Sequence, residues 1–109
     1  MPLAPGPEVL VEGTERYQDA LGRMLGGAGG SAHNLATEAV LTVGSRGRVT
    51  VTLGGHRVGH LAGGLAQTLR VLSDEGDGAP LRCPARINGR FGTHLTVSLM
   101  LARPPWTLS

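Results

Sequence analysis

The chain has 109 residues, which is enough for a single domain with one hydrophobic core. Its 40% hydrophobic content excludes a wholly disordered chain, and its 18 glycines and 3% aromatic residues predict a loop-rich domain with a core of Leu, Val and Ala. The formal net charge is only +2, but the charges are unevenly distributed.

All ten basic residues are arginine, and no acid occurs between Glu38 and Asp74. The arginines of this acid-free region are Arg46, Arg48, Arg57 and Arg70. A local positive face is therefore predicted, and it would suit phosphate or an acidic partner. The alternative is a solvated arginine surface without a partner.

The cysteine and histidine content argues against disulfides and metal sites. A single cysteine, Cys83, cannot form an internal disulfide, and no Cys/His spacing is typical of zinc ligation. No apolar run approaches the roughly 20 residues that span a membrane, and the N-terminal residues lack the pattern of a secretion signal. We therefore expect a soluble, cytoplasmic protein that binds neither metal nor cofactor.

The first third of the chain predicts one strand and one helix. Residues 1–7 hold three prolines and a glycine, and they are interpreted as a flexible lead-in before a strand at Val9-Leu10-Val11. Apolar residues at helical spacing predict a helix from Tyr17, with Thr14 as its cap. The apolar positions are Tyr17, Ala20, Leu21, Met24 and Leu25. The glycines of Gly26–Gly30 end this helix.

A β-hairpin is predicted in the middle of the chain. The β-branched runs 39–43 and 49–53 flank Gly44-Ser45-Arg46-Gly47, which has the composition of a short turn. The two runs should pair antiparallel, and alternation along the second one predicts which residues face the core. Val49, Val51 and Leu53 should face inward, and Arg48, Thr50 and Thr52 should face outward.

The remaining chain predicts a short strand, a helix and a second strand pair. A strand at Arg57 and Val58 leads through Gly59 into a helix with a leucine stripe. The stripe comprises Leu61, Leu65, Leu69 and Leu72. Alternation then predicts a strand over 81–87, with Cys83 inward as an inert core residue, and a last strand over 95–101. Pro84 predicts an exposed strand edge.

These elements predict an α+β fold in the order strand, helix, three strands, helix, two strands. A small bent antiparallel sheet or partly closed β-barrel, OB- or SH3-like, with about six strands and two helices packed on it, satisfies that order. The domain is expected to span residues 8–103. A tail over 104–109 follows, and its Trp106 is expected to dock onto the body.

Several short motifs resemble the HIRAN family of small β-barrel modules, including its free-standing bacterial members. The matching segments are Gly13 with Tyr17-Gln18-Asp19-Ala20-Leu21, Arg48 to Leu53, the Gly54-Gly55 turn, Arg57-Val58-Gly59-His60-Leu61 with Leu65-Ala66, Cys83-Pro84-Ala85-Arg86 and Gly89 to Phe91. Together they cover nearly the whole domain. This chain departs from the family at the loop that carries Asn-Pro-Tyr-Asp, where it has only the residues 44–47.

The resemblance implies binding to the exposed 3′ end of single-stranded DNA. In this reading His60 approaches a phosphate and Phe91 meets a base, while Tyr17 is an approximate match to a further aromatic. With the family's loop absent, the resemblance implies weakened or lost recognition of the terminal nucleotide. Packing or capping by His60, and core packing by Tyr17, are the structural alternatives.

The sequence thus favours a non-catalytic module that binds single-stranded DNA or DNA ends. No nucleophile with a base, metal set or pair of acids is evident, so we do not expect an enzyme. The candidate binding residues are Tyr17, Arg46, Arg48, Arg57, His60, Arg90 and Phe91. The alternative is a protein-interaction or structural domain on a HIRAN-like scaffold, self-associating through the strand edge near Pro84 or through the apolar tail.

Overall fold

The computed structural model of the protein describes residues 2–27, 34–44, 48–61, 63–75, 80–89 and 94–102. Within these residues, six strands and two α-helices follow one another in the predicted order. They are β1 (Glu8–Leu10), α1 (Gln18–Gly27), β2 (Asn34–Val43), β3 (Val49–Leu53), β4 (His56–His60), α2 (Gly63–Glu75), β5 (Leu81–Asn88) and β6 (Thr96–Met100). A short 3-10 helix, Thr14–Arg16, precedes α1.

The strands form one curled antiparallel sheet in the order β1-β6-β5-β2-β3-β4. Alternation decides which face of each strand is buried. Val49, Val51 and Leu53 of β3 are buried, as predicted. On β5, buried and exposed residues alternate over the whole strand except its last position. The α+β fold predicted from the sequence, a partly closed sheet with two helices, is therefore confirmed.

Both helices contribute leucines to the core on the inner side of the sheet. Leu21 and Leu25 of α1 and Leu69 of α2 are fully buried, and Leu65 and Leu72 pack against the same cluster. The leucine stripe explains how α2 packs, because leucines three and four positions apart share one helical face.

Two helix starts differ from the prediction. Leu61 is buried but precedes α2, and its backbone N–H donates to the Val49 carbonyl at 3.0 Å, so it extends the sheet. Thr14 is not the cap of α1. It opens the 3-10 helix after Gly13, which has a positive φ of 79°, and its carbonyl accepts the Tyr17 N–H at 2.9 Å. Gly13, in a left-handed conformation, is the N-cap residue of the 3-10 helix, and α1 begins only at Gln18.

The chain segment that follows β1 links two strands of the curled sheet. Glu12 and His60 exchange two backbone hydrogen bonds, each 2.9 Å long, and so join this segment to β4. Just before it, the Val11 N–H donates to the Val97 carbonyl at 2.9 Å. The segment therefore bridges β6 and β4, the second and the last strands of the sheet.

The N-terminal segment is packed against the domain, whereas the sequence predicted a lead-in before folding begins near Glu8. Leu3 and Ala4 are each only 1% exposed. The Leu3 N–H donates to the Arg82 carbonyl at 2.6 Å, and the Ala4 carbonyl accepts the Ala102 N–H at 3.0 Å. The prolines leave few backbone donors in this segment, but the apolar side chain of Leu3 joins the core.

The prediction of an exposed edge at Pro84 is wrong for the strand as a whole. β5 lies in the middle of the sheet, between β2 and β6. Pro84 sits where pairing on one side is interrupted, because the ladder to β6 ends at Ala85 and Pro2 next bridges to Arg82. A residue without an N–H is tolerated at such a gap in a ladder. Self-association through an open edge of β5 therefore has no support.

Cys83 is buried, as its position on an alternating strand predicted. Only 2% of the residue is exposed, and burial, reinforced by the negative charge of Glu38, raises the pKa of its thiol to about 12. The thiol therefore stays protonated at neutral pH, which makes it a poor nucleophile. Among the described residues, no helix is both long and apolar enough to cross a membrane.

Candidate nucleic-acid interface

The outer face of the sheet is defined here as the side of β2 to β5 that points away from the core and both helices. Thr50 and Thr52 lie on it, because they alternate with the buried residues of β3. Thr50 is paired with His60 and Thr52 with Arg57. Residues directly opposite each other in an antiparallel pair share a face. The register therefore brings Arg57 and His60 together on the outer face.

This arrangement depends on a β-bulge in β4. Arg57 and His60 are three positions apart, and in a regular strand that spacing would place them on opposite faces. The register of β4 on β3 shifts in the middle of the strand, where Val58 is the additional residue. Val58 and Gly59 are both buried, while Arg57 is exposed and His60 half-buried. The bulge thus returns the imidazole to the side of the guanidinium.

Gly59 is required where β4 passes the chain after β1. It has a positive φ of 157°, and a Cβ atom at this position would clash with the Glu12 carbonyl oxygen and lie 2.6 Å from Cγ1 of Val11. Only glycine allows so close an approach of two backbones. The same contact holds the bulge in place beside His60.

The imidazole of His60 rests on the turn at Gly13. A Cβ atom on Gly13 would lie 3.0 Å from both Cε1 and Nδ1 of the ring, so the ring is packed against the glycine backbone. Glu12 is exposed and is paired directly with His60, which places a carboxylate on the same face. His60 therefore combines a packing role with a partly exposed position, and the nearby acid reduces the positive potential around it.

Within the described residues, four exposed arginines lie on the outer face, and one of them, Arg86 on β5, is ion-paired. Arg48 immediately precedes β3, on the side of Thr50, and Arg57 lies on β4. Arg82 on β5 is aligned with Arg57 across the sheet, because Val40 is paired with both Arg82 and Thr52. Strands are about 4.8 Å apart, so the Cα atoms of Arg57 and Arg82 are roughly 14 Å apart.

Few acids oppose these cations within the described parts of the chain. The ion pair found there joins Nη1 of Arg86 to Oε1 of Glu8 at 3.9 Å, and both side chains are about half exposed. Glu38 is the acid on the outer face of β2. Arg48, Arg57 and Arg82 make no ion pair with any described residue, so their guanidinium groups are available to an anion.

The structure brings only part of the predicted site together. Arg48, Arg57 and His60 share the outer face. Tyr17 is half-buried in the turn between the 3-10 helix and α1, both of which contact β4. Arg46, Arg90 and Phe91 lie outside the described residues. Arg48, Arg57 and His60 occupy the outer side of the curled sheet.

Sequence reasoning missed one residue of the outer face, Arg82, and one contact elsewhere in the fold, made by Gln18. Arg82 escaped notice because its alignment with Arg57 depends on pairing across four strands, although its exposed position on an alternating strand was a usable signal. The side-chain amide of Gln18 donates to the carbonyls of Leu95 at 2.8 Å and Thr14 at 3.0 Å, and its Oε1 accepts the Leu95 N–H at 2.7 Å. No local sequence pattern predicts this contact, whose partners are 77 positions apart.

The chemistry available on this face is anion binding by fixed charges and hydrogen-bond donors. Within the described ranges, no three His, Cys, Asp or Glu side chains come together in a way that could hold a metal ion. No protein-family model, no curated protein and no solved structure shows a significant match to this chain.

Proposed function

We propose that the protein is a non-catalytic module that binds single-stranded DNA on its outer face. The observation that carries this proposal is the register of β3 and β4, which places Arg57 and His60 side by side. Arg48 and Arg82 extend the same face, and none of the three arginines is neutralised by a described carboxylate. Arginines of this kind bind phosphates without reading the base sequence.

Threonine hydroxyl groups on the outer face also support the proposal of DNA binding. Thr52 lies beside Arg57 and Thr50 beside His60, and Thr42 of β2 continues the second row. Threonine hydroxyls are common donors to phosphate oxygens. With so few aromatic residues, the face offers little stacking, so affinity depends mainly on charge. We expect weak, strongly salt-dependent binding.

The resemblance to HIRAN modules favours DNA as the nucleic acid. The loop of that family that is missing from this chain bears on how the DNA would be bound. The residues 44–47 occupy the position of the loop that carries Asn-Pro-Tyr-Asp in that family. We therefore propose that the protein holds the backbone of a strand and does not select a free 3′ hydroxyl. Oligonucleotides that end in a 3′ hydroxyl or a 3′ phosphate should bind equally well.

The experiment is a titration of a fluorescently labelled single-stranded oligonucleotide at several salt concentrations. Arg57→Gln should weaken binding and reduce the slope of log K against log salt by about 0.7, the value for one lost phosphate contact on a single strand. His60→Ala should also weaken binding, with a smaller change in slope. Arg70→Gln is the matched control, because Arg70 is an exposed arginine on α2, away from the outer face.

Two results would overturn the proposal. One is the absence of measurable binding by the wild type at low salt. The other is an equal loss in Arg57→Gln and Arg70→Gln, because this would show attraction by net charge alone, without a located site.

A further inference from the structure

A cleft of about 380 Å³ lies where the N-terminal segment crosses β5. Its position follows from the interrupted ladder of β5, since the pairing with β6 ends at Ala85 and Pro2 then bridges to Arg82. The surface between these two partners of β5 is therefore open at Pro84. The volume is at the lower end of the range of about 300–1,000 Å³ that is typical of small-molecule sites, so the cleft suits a small ligand.

Apolar side chains of the N-terminal segment and of β5 line much of the cleft. They are Pro2, Leu3, Pro5 and Pro84. A proline ring loses almost no conformational freedom when another group packs on it, so this lining is already in its binding geometry. The cleft therefore offers a preformed surface to the apolar part of a ligand.

Two side chains of opposite charge, Glu38 and Arg82, line the same cleft. Glu38 is paired with Pro84, and Arg82 lies two positions before Pro84 on β5. The two residues are therefore diagonal neighbours on the outer face, with Cα atoms roughly 7–8 Å apart. Both are exposed, and neither makes an ion pair with any described residue. A carboxylate and a guanidinium are thus both available to one ligand.

We propose that the cleft binds a free α-amino acid with an apolar side chain. Arg82 holds the ligand's carboxylate, Glu38 holds its ammonium group, and its side chain lies on Leu3 and the proline rings. A zwitterion suits this cleft because a simple anion would be repelled by Glu38 and a simple cation by Arg82. The inference does not depend on the proposed DNA binding, although Arg82 belongs to both sites.

The test is a titration of the isotope-labelled full chain with L-leucine, followed by nuclear magnetic resonance. The backbone amides of Leu3, Glu38 and Arg82 should shift, with a dissociation constant of about 1 mM, as befits a ligand of so few atoms. N-acetyl-leucine lacks the ammonium group and leucinamide lacks the carboxylate. Each should bind about fivefold more weakly than leucine, which is the upper end for the loss of one exposed ion pair.

Two variants assign the charges of the ligand to the two residues. Glu38→Gln should abolish the preference for leucine over N-acetyl-leucine and keep the preference over leucinamide. Arg82→Gln should do the reverse, because each variant removes the partner of one ligand charge only. Arg70→Gln is the matched control. Arg70 is exposed on α2 and does not line the cleft, so both preferences should persist in this variant.

Three results would overturn the proposal. The first is the absence of shifts in the cleft amides at millimolar leucine, or shifts confined to other parts of the domain. The second is equal affinity of the wild type for leucine, N-acetyl-leucine and leucinamide. The third is an Arg70→Gln variant that loses as much affinity as Arg82→Gln. None of these results bears on DNA binding, since the titration contains no DNA.

Discussion

Gln18 shows how one side chain can organise two distant segments. Its amide behaves like a short piece of strand, because it both donates to and accepts from the backbone of Leu95. Leu95 is buried immediately before β6, so this contact holds the beginning of that strand against the beginning of α1. A second donor bond from the same amide satisfies the Thr14 carbonyl.

Replacing Gln18 with alanine should destabilise the protein. The change leaves the Leu95 N–H and carbonyl without their side-chain partners, so we expect the free energy of unfolding to fall by about 1–3 kcal/mol. Urea denaturation followed by circular dichroism measures this. Gln67→Ala is the control, since Gln67 is exposed on α2 and its loss should change stability by no more than about 0.5 kcal/mol. Similar effects of the two variants would contradict the assigned role.

An irregularity in β4 places Arg57 and His60 on one face of the sheet. The bulge at Val58 and Gly59 turns three positions of separation into a shared face for Arg57 and His60. Gly59 makes this possible, because the strand passes against the Glu12 carbonyl. The candidate site therefore depends on the register of β4 on β3, on the bulge and on the close contact between Gly59 and Glu12.

Gly59→Ala should be strongly destabilising. The added methyl group collides with backbone that is held by the Glu12–His60 bridge and cannot move independently, so we expect a loss of about 2–4 kcal/mol in unfolding free energy. Gly22→Ala is a control of opposite sign. Gly22 lies within α1 with nothing within 4 Å of its added Cβ, so alanine should stabilise by about 0.5–1 kcal/mol. Thermal and urea unfolding distinguish the two outcomes, and an unaffected Gly59→Ala would refute the close contact.

Over the whole molecule, the two ends of the described chain stabilise each other against β5. Leu3 belongs to the core cluster, and Ala4 and Pro7 accept hydrogen bonds from the residues after β6. The N-terminal segment is therefore an integral part of the fold. It also forms one wall of a cleft beside β5.

Leu3→Ala tests whether this segment contributes to global stability. Removing a leucine side chain from a buried position costs about 2–5 kcal/mol, and that loss is expected in the unfolding free energy of the whole domain. Leu10→Ala is the matched control, because Leu10 is 61% exposed on β1 and should change stability by less than about 1 kcal/mol. A neutral Leu3→Ala would mean that the segment docks without supporting the core.

Local patterns were sufficient for most of the fold and for part of the candidate site. The alternation in 49–53 and 81–87 predicted both strands and their buried faces, and the leucine spacing predicted α2 apart from its first turn. Alternation also predicted an outward Arg48. Hydrophobic periodicity succeeds here because it reflects burial on one face, which the chain encodes locally.

Contacts between distant segments determined the features of the fold and of the candidate site that local patterns did not predict. The bulge that aligns Arg57 with His60, the row from Arg82 to Arg57 and the Gln18–Leu95 contact all join residues that no local pattern connects. Composition suggested a free lead-in because prolines are common in such segments, yet the burial of Leu3 depends on a surface that exists only after β5 and β6 have paired. The amino-acid sequence by itself thus determined the strands and helices and their buried faces, because burial on one face is encoded by local periodicity. The tertiary structure decided which strands pair, which exposed residues share a face and how the N-terminal segment packs, because these contacts join residues that are far apart in the sequence.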